Sequence, residues 1–142
     1  MEERGPQVFS LHDAPTRVMR FDRGTMIRLF GEENGARNLD LHINVINVDS
    51  GPGPYHYHER AENAYIVLEG TVEIVVEGKR YYLHKDDVGF IPPGLRHYAG
   101  NAGDVPARVI EIYAPSGTDF NIVDDPAEIV DATPEKKPAA QP

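Results

Sequence analysis

The chain contains no cysteine, which excludes disulfides, thiolate metal sites and a cysteine nucleophile. Basic residues are scarce: 14 Lys and Arg stand against 23 Asp and Glu, a formal charge of −9 with histidine neutral. Binding to a phosphate backbone needs the opposite sign, so nucleic acid is not an expected partner. Long apolar runs are missing too. The longest, Ala64–Leu68, falls far short of the roughly 20 residues that span a bilayer, so no membrane partner is expected. Met1-Glu2-Glu3-Arg4 carries two acids and no apolar block, unlike a secretory signal. These features fit a reducing cytoplasm, which is the expected location.

What is present is enough for one core. Of 142 residues, 40% are hydrophobic, and 13 Gly and 12 Pro disfavour a bundle of long helices. Residues 1–24 mix short apolar pieces with turn residues and read as an arm or an edge strand. From Thr25 the pattern becomes regular. Strands are expected over Thr25–Phe30, Asn38–Val48, Tyr55–His58, Asn63–Leu68, Thr71–Glu77, Arg80–His84, Val88–Ile91, Arg96–Gly100 and Arg108–Ala114. Leu41, Ile43 and Val45 alternate with His42, Asn44 and Ile46, and Val72, Ile74 and Val76 share one face. Turn signals recur about every 8–12 residues with no helical period, which indicates an all-β sandwich or barrel over residues 25–118. Core candidates are Ile43, Val67, Val72, Ile74, Val76, Phe90, Ile110 and Ile112. Residues 119–142 are acidic and then Pro-rich. They read as a tail, at least partly disordered, unless Phe120 and Ile122 dock on the barrel or a neighbouring subunit.

The histidines carry the chemistry. His56-Tyr57-His58 puts two imidazoles at i and i+2. On a strand these share a face roughly 6.5–7 Å apart, close enough for neutral ring nitrogens to converge on one metal ion. The competing reading is two exposed histidines on a loop. His97 follows Ile91-Pro92-Pro93-Gly94, a rigid turn that delivers the next strand with little entropy left to lose. Tyr57, between the two histidines, faces the other way and reads as packing. His12 and His84 read as exposed.

Two stretches resemble the motifs of the cupin family, G-x5-H-x-H-x(3,4)-E-x6-G and G-x5-P-x-G-x2-H-x3-N. The first is Gly51–Gly70, with His56, His58, Glu62, Asn63 and Tyr65. The second is Asp86–Asn101, with Pro92, Gly94, His97 and Asn101. The resemblance implies a double-stranded β-helix, or jelly-roll barrel, with one divalent metal at its mouth held by His56, His58 and His97. Iron, manganese, nickel, copper and zinc all suit such a set. Three departures stand out. Gly51 is one residue late. Asp86 replaces the second motif's first glycine, in a role that Asp tolerates because it enters the left-handed region more readily than most residues. Six residues back from Gly70, where the family places its glutamate ligand, stands Asn63; Glu62 fits the spacing from His58 but not that to Gly70. A one-residue slip turns a strand side chain to the other face. So either Asn63 faces the metal, the reading we favour, or a bulge swings Glu62 in.

Tyr65 shares strand parity with Asn63, so it is a candidate catalytic acid or substrate donor, or an ordinary core aromatic. His42 is a candidate for the pocket mouth, and Arg96 one for steering an anion; each also reads as a hydrogen-bonded or solvated residue. The resemblance implies dioxygenase-, isomerase-, lyase- or decarboxylase-type chemistry on a small anionic or oxygenated metabolite. The alternative is a module that binds a sugar, an organic acid or a metal without turnover. A homodimer is expected, with the Val8 and Val18 segments supplying exchanged or added strands.

Overall fold

The computed structural model describes residues 5–132. Its strands are β1 (Thr16–Val18), β2 (Gly24–Phe30), β3 (Asp40–Ile46), β4 (His56–Tyr57), β5 (Glu62–Glu69), β6 (Val72–Val76), β7 (Lys79–Leu83), β8 (Val88–Ile91), β9 (His97–Asn101), β10 (Ala107–Ala114), β11 (Asn121–Ile122) and β12 (Val130–Asp131). Two six-stranded sheets, ordered β1-β2-β3-β10-β5-β8 and β11-β4-β9-β6-β7-β12, face each other as a jelly roll. Every pairing is antiparallel except β12 with β7. Among the described residues no helix is long and apolar enough to cross a membrane.

Turn chemistry sets the corners. Glu77-Gly78 connects β6 to β7 with both residues at positive φ, the backbone that a tight hairpin requires. Asp86 sits at φ 71°, so the residue that replaces the motif glycine does adopt the left-handed conformation. Its N–H donates to the Val67 carbonyl at 2.8 Å.

The interior is filled by Ile46, Tyr65, Val67, Val72, Ile74, Leu83, Ile91, Ala107 and Val109. Of the core candidates, Val67, Val72 and Ile74 lie there, with Val76 packed against them. Four others do not. Phe90 is 59% exposed, because β8 turns Gly89 and Ile91 inward; a Cβ on Gly89 would stand 3.1 Å from Leu83 and 3.4 Å from Ile74. Ile110 and Ile112 are half-buried on the outer face, since β10 points Val109 and Glu111 inward. Ile43 is buried, but its register opposite Ile110 and Ile27 places it on that same outer face.

Residues 119–132 return over the barrel. Asn121–Ile122 pairs with β4 and Val130–Asp131 with β7. Between them, Val123 and Ile129 pack on Tyr55, Val75 and Tyr98, a second apolar cluster on the outside of the second sheet. Burying these five side chains offsets the entropy of ordering an acidic segment. Phe120 docks on the barrel, whereas Ile122 remains 55% exposed. The remainder of the expected tail, residues 133–142, lies outside the described residues. At the other end, β1 pairs with β2 of its own chain, and Val8 and Val18 are 94% and 67% exposed.

Candidate metal centre

His56 on β4 and His97 on β9 face each other as Cα partners across the sheet, and His58 follows immediately after β4. The three rings meet, with centroids 4.9 Å (His56–His58), 4.4 Å (His56–His97) and 5.3 Å (His58–His97) apart. All three are buried, at 8%, 2% and 1% exposure.

Their second nitrogens fix the tautomers. Nδ1 of His56 donates to the Pro54 carbonyl (2.7 Å), that of His58 to Asp119 (2.7 Å) and that of His97 to Leu95 (2.9 Å). A carbonyl only accepts, so each Nδ1 carries the proton and each Nε2 keeps its lone pair. These three Nε2 atoms are buried without a hydrogen-bond partner, and the cluster's ligand atoms lie within 4.8 Å of one another. Burial and the neighbouring His97 push His56 down to about 3, and burial also lowers His97. Three neutral imidazoles with converging lone pairs are the donor set that a divalent transition metal takes. An orphaned buried acceptor is costly, and one shared cation relieves all three.

Asn63 on β5 is 1% exposed and Glu62 is on the exposed side of the strand. Asn63 Nδ2 donates to the Ile112 carbonyl at 3.1 Å, and its Oδ1 is buried without a partner.

A cavity of about 130 Å³ adjoins the cluster, with His56, Arg23, Asn44, Tyr65, Glu111, Tyr113 and Phe120 among its lining residues. Tyr65 therefore contributes both to the cavity wall and to the core. Phe120 stacks on His56 at 4.0 Å, and the Arg20 guanidinium sits 4.5 Å from the Phe120 ring centroid, so the C-terminal strap forms part of the mouth.

Two sequence candidates stand elsewhere. Arg96 is exposed and lines a separate open pocket beneath residues 123–128, its backbone N–H donating to Glu77. His42 is buried behind the cavity wall rather than at the mouth. Its Nδ1 lies 3.4 Å from Asp40 Oδ1, and its Nε2 lies at ion-pair distance, 3.5 Å, from Glu111 Oε1. Burial alone would lower its pKa, but the two carboxylates prevail and raise it to about 9.

Glu111 and Arg23 are the residues that sequence reasoning missed. Glu111 is 6% exposed and accepts from Asn44 Nδ2 (3.2 Å) and from the Tyr113 hydroxyl. Burial would raise its pKa, yet the hydrogen bond and charge of His42 win and lower it. Arg23 is 7% exposed, held by the Gly51 carbonyl (3.3 Å) and the Ala99 carbonyl (2.9 Å). Parity with Val109 is the signal that could have found Glu111. Arg23 lies in the turn before β2, where no periodicity marks it.

The comparisons agree with this picture. A family model described as a cupin domain matches residues 45–113, which include all three clustered histidines. The chain is a cupin. It is 38% identical over 79 residues to a mannose-1-phosphate guanylyltransferase of Escherichia coli, a match that covers 54% of this chain and 16% of that protein. It is 35% identical over 60 residues to the tetracenomycin polyketide synthase protein TcmJ of Streptomyces glaucescens, covering 42% of this chain and 40% of that one. This cupin thus spans well under half the length of both relatives. Among solved structures, the polyketide cyclase RemF from Streptomyces resistomycificus superimposes with a TM-score of 0.72 at 20% identity, covering 87% of this chain and 89% of that one. At that identity the likeness speaks for the fold.

Proposed function

We propose that this cupin holds one divalent metal ion on His56, His58 and His97, with Asn63 Oδ1 as a fourth donor, and uses it to bind a small anionic or oxygenated metabolite in the adjoining cavity. The observation that carries this reading is the set of three buried, unpartnered Nε2 atoms, each oriented by a backbone carbonyl on its other nitrogen. The metal would act as a Lewis acid and as an anchor for the ligand's oxygens. Around it, the protein's own residues do the selecting. Arg23 supplies a fixed positive charge, Glu111 a fixed negative one, and Phe120 shields the His56 ring from water. The reaction class would be that of an isomerase, lyase, decarboxylase or dioxygenase.

A binding module without turnover is the second reading. It is favoured by Asn63 standing where the family motif has its glutamate, which leaves the ion's charge uncompensated and suits retention of an anion. Elemental analysis of protein purified without added ions tests both at once. We expect close to one equivalent of a transition metal per chain, lost in a variant with all three histidines replaced by alanine. A metal-free protein that also fails to take up nickel or zinc refutes both readings. Product formation from the bound metabolite separates an enzyme from a binder.

We also propose that the cupin is a homodimer. The exposed Val18 on β1 and Val88 and Phe90 on β8, at 67%, 67% and 59%, support this, since β1 and β8 are the two edge strands of one sheet and apolar edge strands are sites of pairing between chains. Sedimentation equilibrium giving the mass of a single chain would refute it.

A further inference from the structure

On β3 and β10 the usual division of a sheet's faces is reversed. His42 and Asn44 point inward while Leu41, Ile43 and Val45 point outward, and Glu111 points inward while Ile110 and Ile112 point outward. An antiparallel sheet with one face on a core commonly turns polar residues to water on the other. Here the register lines the outward side chains into apolar rows. Thr16, Ile27, Ile43, Ile110, Ile66 and Val88 are successive Cα partners across all six strands of the first sheet. Two residues along, Phe30, Leu41, Ile112, Ala64 and Phe90 form a second row across five strands. Two residues the other way, Val18, Thr25 and Val45 begin a third, which meets Arg108. Neither of the first two rows holds a charge.

No strand among the described residues is left to cover this face. The second sheet lies on the inner side, and every described strand belongs to one sheet or the other. Phe9, ahead of β1, meets the border, its ring 5.2 Å from that of Phe30. Residues 1–4 and 133–142 offer one large apolar side chain, Met1, among Glu2, Glu3, Arg4, Glu135, Lys136 and Lys137. Only Ile43, in the middle, is buried; Ile27, Ile66, Ile110 and Ile112 are half-buried, and Val88 and Phe90 are exposed.

A second copy of the chain fits this face. Rows of similar apolar side chains need no matching of charge, so a two-fold axis through the face lays one sheet on its copy, as two sheets pack about 10 Å apart in a sandwich. The size suffices. Six strands at about 4.8 Å and three rows at about 6.8 Å cover roughly 29 by 20 Å, about 600 Å² per chain. Two such faces remove about 1,200 Å² from water, the lower end for a specific, stable interface. Edge pairing alone would leave the apolar rows in water.

We propose that two copies of this chain associate face to face through the outer side of the first sheet, with Ile66 and Ile110 at the centre of the contact. This rests on the homodimer reading above and places the contact on the sheet face between the two edge strands.

Sedimentation equilibrium of Ile110→Lys tests it, because β10 lies two strands from one edge and three from the other, away from any edge pairing. The native chain should sediment as two copies. Ile110→Lys should weaken association by about thirtyfold or more, as a change at the centre of an interface does, with an unchanged circular dichroism spectrum. The chain has no cysteine, so a single introduced thiol gives a second reading without a charge in the sheet. In Ala64→Cys, modification by a maleimide should slow in step with the fraction of dimer as protein concentration rises. Ile122→Cys, on the other sheet, should react at one rate throughout. A native dimer that Ile110→Lys leaves intact, or an Ala64→Cys thiol equally reactive at every concentration, overturns the proposal and leaves edge pairing as the contact of the homodimer. A native chain that sediments as one copy overturns both, the face then belonging to a different protein. The thiol rates decide the matter even if Ile110→Lys does not fold.

Discussion

The backbone N–H of Gly94 donates a 2.7 Å hydrogen bond to the carbonyl of His58. This bond ties the loop that delivers His97 to His58, the residue just after β4, so two distant stretches of chain share one register at the metal cluster. Gly94 can serve because it sits at φ 84°, and a Cβ there would meet nothing within 4 Å. Gly94→Ala should therefore cost backbone strain alone, about 1 kcal/mol. Thermal unfolding should show that modest loss. Metal release to a chelator should accelerate several-fold, because the strain falls on the loop that aligns the two histidine stretches. Unchanged release kinetics would show that the loops hold their register without this bond.

Asp119 ties the C-terminal strap to the same centre. Its carbonyl accepts from His58 Nδ1, while its carboxylate accepts from the Glu59 N–H at 2.9 Å and from the Asn121 amide. Asp119→Ala removes the side-chain tether and leaves the carbonyl free to drift. We expect faster metal loss, with a stability cost near 1 kcal/mol, the usual worth of such side-chain to backbone bonds. Asp119→Asn, which keeps an acceptor for Glu59, should restore most of the retention. If alanine retains metal as well as the native residue, the strap does not orient His58.

Much of this was legible in the chain. Alternation located the strands, and the two motifs brought His56, His58 and His97 together, because Pro/Gly turns are local and their backbone demands are visible in sequence. Asp86 behaved as its residue type allowed. The inside and outside of β10 were not legible. Ile110 and Ile112 share parity and are larger aliphatics than Ala107 and Val109 on the other face, yet Val109 and Glu111 point inward because register with β3 and β5 decides the face. Hydrophobicity misleads where a sheet's outer face is itself half-covered. The strap escaped notice for the opposite reason. Its five acids mask Val123 and Ile129, and their partners Tyr55, Val75 and Tyr98 are remote in sequence.

His42 should give the fold a pH signature on the alkaline side. Its folded pKa, about 9, exceeds the unfolded value of about 6.5. The folded state therefore binds the proton more tightly, and the stabilisation is complete below about pH 6.5. It is lost as pH rises through about 9, where the imidazolium between Asp40 and Glu111 deprotonates, and the loss should be on the order of 2 kcal/mol. Denaturant unfolding at pH 6.5 and 9.5 measures it. His42→Gln should be less stable at pH 6.5 and should flatten the decline between the two. A native protein equally stable at both values would mean that His42 is not charged in the fold.

The position that departs from the family motif supplies the sharpest substitution. Asn63 brings a neutral amide oxygen to the interior, where a motif-matching chain would bring a carboxylate. An ion on three neutral imidazoles and an amide keeps its full charge, whereas one carboxylate would cancel half of it and attract the cation across a low-dielectric gap. Asn63→Glu should thus slow metal release to a chelator by about tenfold, the equivalent of roughly 1.4 kcal/mol. The gain is limited by the bond from Nδ2 to the Ile112 carbonyl, which the glutamate cannot make while ionised. Glu62 provides the control. It lies on the exposed side of the same strand, and Glu62→Ala should leave retention unchanged. Tighter metal in Asn63→Glu together with an indifferent Glu62→Ala would identify position 63 as a ligand. The reverse pattern, with retention falling in Glu62→Ala, would require β5 to slip by one residue when the metal binds.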